Sequence, residues 1–238
     1  MTHLKIAPAT ILFSVAVVGA ISGFMAYRHY SLAHSRMAQS GLIPIAMAPA
    51  APAAPAAATA TLPASAIPEE VPDVRLPDLA GKLHALRDDS GQPHLYNFWA
   101  TWCEPCRREI PLLNALQHTY RADHLQIVGI AVDFRDSVRD FLKTTKLNYR
   151  SLVGEEEGLE AAQKFGMEMA LPFSVFADER NRIVAVKVGE LHLEEADAIL
   201  VNMRDLRAGR ATLAEARARI AERLKQAALQ RAKQSKPN

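Results

Sequence analysis

From His94 to Trp99 and again from Leu125 to Val132 the chain is apolar over the length of a strand, and between these runs Ile110, Leu113, Leu116 and Tyr120 recur at three- and four-residue spacing. That spacing predicts an apolar stripe on a helix, so the stretch reads as strand, helix, strand. Such a unit needs a crossover and yields a parallel pair. After Asp133 the pattern predicts a helix over 137–145, a short strand over 149–153 and a second helix over 158–165. Two further runs, 173–176 and 183–188, are separated by the turn-forming residues Asp178-Glu179-Arg180-Asn181 and predict an antiparallel hairpin; 193–206 then predicts a closing helix. The expected fold is α/β, a central mixed sheet flanked by helices.

Outside this block the pattern changes. Behind a short N-terminal segment, 1–7, residues 8–27 carry no charge and are mostly apolar. Twenty helical residues rising about 1.5 Å each span a bilayer core of about 30 Å, so this run predicts an uncleaved membrane anchor. A cleaved signal peptide is the alternative, with small residues at Val18-Gly19-Ala20, but the apolar run continues past that point. Lys5 precedes the run while Arg28 and Arg36 follow it, so charge does not set its orientation. Residues 28–68 form a linker that becomes almost wholly alanine and proline from Pro44 on, a composition that makes an extended tether rather than a core.

Charge divides the rest of the chain. The segment 69–205 holds 16 basic and 24 acidic residues, a net −8, whereas 206–238 holds 9 and 2, a net +7. In that tail Leu213, Ala216, Ile220, Leu224 and Ala227 share one helical face. A basic amphipathic helix is expected there, separate from a domain ending at residue 205 and either packed back on it or bound to a membrane surface or partner. No nucleic-acid-binding motif accompanies the basic residues.

The chemistry is concentrated in Trp102-Cys103-Glu104-Pro105-Cys106, which contains the only two cysteines in the sequence. They lie where a strand hands over to a helix, and a helix N-terminus favours a thiolate. A structural zinc site would need two more ligands, and neither a second cysteine pair nor histidines at ligand spacing are present. A redox dithiol is the expectation. Cys103, at the helix start, is the nucleophile, and Cys106, one turn further in, resolves the mixed disulfide. Pro105 suits the first helical turn, and Pro111 should kink the helix.

The whole segment from Asn97 to Pro111 resembles the active-site region of the thioredoxin-like family, in particular the membrane-anchored TlpA/ResA type of thiol-disulfide oxidoreductase. The likeness extends through Leu171-Pro172-Phe173-Ser174-Val175-Phe176 and Ile183 to Gly189, and covers about 71–205. It implies a thioredoxin-like fold with a βα insertion over 137–165 and a cis-proline loop at Leu171-Pro172. Trp102, Leu171 and Pro172 would then meet the substrate. It also matches Glu109 to a glutamate that accepts the proton of the resolving thiol; the alternative is a solvated helix residue paired with Arg107 or Arg108. Two positions depart from relatives: Asn97 stands where thioredoxins often carry a buried aspartate, and Ala170 where glycine is common.

The resemblance implies a single-pass inner-membrane protein with its redox domain in the periplasm and no bound cofactor. Its expected substrates are apocytochrome c or copper-chaperone cysteines, and its expected electron donor is a membrane thiol reductase of the DsbD/CcdA type. No glycine-rich nucleotide fingerprint is present. Glu104 and Glu109 near the thiols favour a reductant over an oxidant. A peroxiredoxin-like peroxidase would need threonine where Ala100 stands. A binding module acting through the basic tail would not need the cysteines at all.

Overall fold

A computed structural model describes residues 67–234, apart from 89 and 168–169. The anchor expected over 8–27 and the alanine- and proline-rich run lie outside the described residues, except for the last two linker positions. No helix among the described residues is long and apolar enough to cross a membrane.

The core is a five-stranded mixed sheet. In chain order its strands are β3 (His94–Trp99), β4 (Gln126–Ala131), β5 (Arg150–Val153), β6 (Phe173–Ala177) and β7 (Ile183–Val188), and in space they run β5-β4-β3-β6-β7. β3 pairs in parallel with β4, and β4 with β5, while β6 and β7 are antiparallel additions on the other side. Ahead of the sheet stands a small hairpin of β1 (Arg75–Pro77) and β2 (Leu83–Ala85), too short to leave a periodic signal in the sequence.

Helix α1 (Glu104–Thr119) connects β3 to β4 and buries Ile110, Leu113 and Leu116 against the sheet. It runs uninterrupted through Pro111. The insertion between β4 and β6 contains α2 (Arg135–Phe141), β5 and α3 (Glu156–Lys164). α2 is shorter than the 137–145 expected, because after Phe141 the chain closes into turns whose Thr144 and Thr145 amides bond back to the Phe141 carbonyl. α3 begins two residues early, at the acidic run Glu155-Glu156-Glu157, where carboxylates favour a helix N-terminus. α4 (Leu193–Arg207) follows β7.

Of the outcomes expected for the basic tail from residue 206, packing back on the domain is the one observed. α5 (Leu213–Gln234) opens with a capping box, in which the Thr212 amide donates to Glu215 and the Glu215 amide to the Thr212 hydroxyl. Ala216, Ile220 and Ala227 are buried, and Leu213 and Leu224 join the same apolar cluster as Leu95, Leu116, Phe176 and Ile199. A buried isoleucine of this kind contributes about 1.5–3 kcal/mol. The physical reason is that the stripe at 213, 216, 220, 224 and 227 meets an apolar surface of α4 and β7.

At one pole of the sheet the start of the domain is pinned. Glu69 and Val71 bond the backbone of Ile183 and Asn181, and Arg217 of α5 donates to the Ile183 carbonyl at 2.6 Å and to the Glu69 carboxylate at 2.7 Å. The cysteines occupy the opposite pole.

Candidate active site

Strand β3 ends at Trp99, and the turn that follows delivers Cys103 as the N-cap of α1 with extended backbone angles. Its sulfur accepts the Cys106 amide at 3.3 Å, so the cap that most helices take from a serine or aspartate oxygen is here a reactive sulfur. The two cysteines are joined as a disulfide, with Cα atoms 5.3 Å apart. Cys103 is 6% exposed and Cys106 0%, which gives the outer sulfur the only access to solvent. When the bond is reduced, the same unpaired amides and helix dipole favour a thiolate at Cys103.

Around the sulfurs lie Trp99, Ala100, Ala131, Val138 and Val153, with Leu171 packed against them. The Leu171-Pro172 peptide is cis, and the Pro172 carbonyl accepts the Gly189 amide at 2.8 Å, which joins this loop to the end of β7. Trp102 is 70% exposed beside Cys103. The turn carrying it is fastened by Asp133, whose Oδ2 accepts the Thr101 amide at 2.8 Å and the Thr101 hydroxyl at 2.6 Å. Oδ1 of the same aspartate accepts the Phe134 amide at 2.8 Å, and Phe134, like Trp102, is an exposed apolar side chain. Asp133 and Phe134 were not marked by the sequence, although an aspartate directly after an apolar strand is the available signal.

Glu109 is not a solvated helix residue. It is 2% exposed, its Oε1 accepts Asn97 Nδ2 at 2.7 Å, and its Oε2 accepts the Leu191 amide at 2.8 Å. Arg108 turns outward to Glu190 at 2.7 Å and to Glu104 at 3.1 Å, so it does not serve Glu109. Burial pushes the Glu109 carboxyl up from 4.5 to about 7, against the two hydrogen bonds, which pull it down; the nearby Glu190 charge raises it and Lys187 lowers it. Glu104, by contrast, is exposed and ion-paired, so its expected influence on the thiols is screened by solvent and by Arg108.

The strand register explains why these groups meet. Asn97 is level with Ser174 on one side and Gly129 on the other, Ser174 with Lys187, and Gly129 with Ser151. Partners across a ladder point to the same face, so one polar row crosses the sheet beneath α1. Asn97 Nδ2 reaches the Ser174 hydroxyl at 3.2 Å as well as Glu109. At Gly129 a Cβ would meet Trp99 Nε1 and Tyr149 Cε2 at 3.1 Å each, so glycine lets those rings close over the sheet. Lys187 contributes a half-buried ammonium to the same face, which strand alternation alone did not reveal. Among the described residues no group of three His, Cys, Asp or Glu is arranged to hold a metal ion.

A mixed sheet of this topology, with a Cys-X-X-Cys pair capping the helix after its central strand and a cis-proline beside it, defines a thioredoxin-like thiol-disulfide oxidoreductase. Residues 67–200 match the Redoxin family, and the chain belongs to it, within its ResA-type thiol-disulfide oxidoreductases. It is 34% identical over 133 residues to the thioredoxin-like protein YneN of Bacillus subtilis, covering 54% of this chain and 75% of that one. It is 31% identical over 135 residues to the thiol-disulfide oxidoreductase ResA of Bacillus thuringiensis, covering 56% and 76%. Among solved structures, a secreted thiol-disulfide isomerase from Corynebacterium glutamicum superposes with a TM-score of 0.51 at 26% identity, over 57% of this chain and 85% of that one. The family acts on the thiols and disulfides of proteins.

Proposed function

We propose that this chain is a membrane-anchored reductant of protein disulfides outside the cytoplasm, with Cys103 as nucleophile, Cys106 as resolving thiol and Glu109 as its proton acceptor. The Cys103 thiolate attacks one sulfur of a substrate disulfide, forms a mixed disulfide and releases the first substrate thiolate. Cys106 then gives its proton to Glu109 and attacks the Cys103 sulfur, which releases the second substrate thiolate. Two electrons pass to the substrate, the chain is left as the Cys103–Cys106 disulfide, and the proton on Glu109 returns through the site to a departing thiolate. The carrying observation is a buried carboxylate on the Cys106 side of α1, three residues on, that titrates near neutral pH. Trp102, Leu171 and Pro172 form the rim against which the substrate chain lies.

The uncharged run 8–27 supports a single-pass inner-membrane anchor that leaves the redox domain in the periplasm. Family membership supports apocytochrome c or a copper chaperone of oxidase assembly as substrate, and a membrane thiol reductase of the DsbD/CcdA type as the source of electrons. The test is a Cys106→Ser variant of the full-length chain, which cannot resolve its mixed disulfides, recovered from cells and identified by its covalent partners. Partners exported from the cytoplasm and carrying paired cysteines are expected. Adducts confined to cytoplasmic proteins would overturn the assignment.

A further inference from the structure

The turn that holds Glu109 is itself held, and the hold comes from the last helix. Leu191, whose amide donates to Glu109 Oε2, and Glu190, which takes the Arg108 guanidinium, both lie between β7 and α4. Behind them stands Glu195, only 1% exposed. Its Oε2 accepts the His192 amide at 3.1 Å and lies 3.3 Å from His192 Nδ1 and 3.7 Å from Lys187 Nζ. A carboxylate so buried must be matched by a cation or be destabilising. α5 supplies it: Arg231 donates one guanidinium nitrogen to Glu195 Oε1 and the other to Glu194 at 2.5 Å. Lys187, its side chain 14% exposed, donates to the Val188 carbonyl at 2.7 Å. Charges therefore alternate from Arg231 through Glu195 and Lys187 to Glu109.

We infer that Arg231 is a positioning residue of the redox site: through Glu195 it fixes the 189–192 turn and leaves the Lys187 ammonium to face Glu109, so the working unit extends to residue 231. The family match ends at residue 200, well before α5. This inference rests on Glu109 being the proton acceptor.

Its sign can be worked out. With Arg231 in place the Glu195 charge is already matched, and Lys187 favours the ionised form of Glu109. Without Arg231, Glu195 competes for Lys187 and the surroundings of Glu109 become more negative, so Glu109 holds its proton to higher pH. Neutralising Glu195 does the reverse. The other groups facing Glu109 are Asn97 from β3, Glu190 and the Leu191 amide from the turn, and Tyr149 ahead of β5, whose phenol burial keeps neutral.

The experiment measures, in the full-length protein between pH 5.5 and 9, the rate at which Cys106 resolves a mixed disulfide on Cys103. Glu109→Gln should remove a titration near neutral pH. Arg231→Gln should move that midpoint upward by about half a pH unit, a roughly threefold change in the ratio of ionised to protonated Glu109. Glu195→Gln, which preserves the capping box at the start of α4, should move it downward. Arg223→Gln, on an exposed position of α5, should leave it in place. Opposite shifts from Arg231→Gln and Glu195→Gln support the coupling, because a merely structural role would displace both variants the same way. Unmoved midpoints, or shifts of one sign, overturn it while leaving the role of Glu109 intact. Should Arg231→Gln not fold, the sign of the Glu195→Gln shift decides alone. A titration that survives Glu109→Gln refutes the reading of Glu109, and the inference falls with it.

Discussion

Glu109→Gln makes a prediction about stability that does not depend on turnover. A carboxyl raised from 4.5 in the unfolded chain to about 7 in the folded one binds its proton more tightly when folded. The native state then holds more protons than the unfolded state across that interval, so this group's contribution is fully present below pH 4.5 and is lost as the pH rises through 7. At about 1.4 kcal/mol per pH unit, the interval is worth ~3 kcal/mol. The assay is urea unfolding of the disulfide form, in which neither cysteine titrates, for wild type and Glu109→Gln at half-unit steps from pH 4.5 to 8.5. Other carboxylates bend both curves alike, so the difference between them isolates position 109. Wild type should lose ~3 kcal/mol relative to the variant from the acid to the alkaline end, with most of the change below pH 7. The absolute offset will be smaller than a pure charge removal suggests, because glutamine must turn its amide nitrogen toward either the Asn97 or the Leu191 donor. A difference that stays flat with pH would mean that Glu109 is an ordinary carboxylate in the folded protein, and the proton-acceptor role would go with it.

The remaining predictions concern poise, recognition and the last helix. Equilibration with glutathione should place the dithiol nearer about −270 mV, the range of reductants, and a value above about −180 mV would exclude the reductant role. Trp102→Ala should slow reduction of insulin severalfold while leaving attack on a small aromatic disulfide and the unfolding midpoint nearly unchanged, since the side chain is exposed; equal loss with both substrates would deny it a part in recognition. Ile220→Ala should cost about 2–5 kcal/mol in urea unfolding, as a core truncation does, and a cost below about 0.5 kcal/mol would mean that α5 lies loosely on the domain.

The main sheet was legible because its central strands β3, β4 and β6 are buried on both faces and read as continuous apolar runs, and because Ile110, Leu113 and Leu116 mark the face that α1 turns to it. The dithiol was legible from its spacing, and the cis Leu171-Pro172 peptide from the family resemblance. Other features depended on distances along the chain that no local pattern carries. Lys187 is an unremarkable polar residue until the hairpin register sets it level with Ser174 and hence beneath α1. The tail looked independent because its charge is opposite to that of the domain. That same opposition becomes Arg217 on Glu69 and Arg231 on Glu194 and Glu195 once the apolar stripe has docked.

The pinning of Glu69 beside Ile183 fixes which way the dithiol looks. β6 runs from the cis-proline loop to the turn at 178–182, and five residues at about 3.4 Å each separate the two ends by about 17 Å. The polypeptide preceding Ile67 therefore joins the domain at the pole remote from Cys103, and α5 locks that junction through Arg217. A folded substrate approaching Trp102 meets no part of this junction. Length added or removed ahead of residue 67 should therefore leave unaltered the surface that greets the substrate.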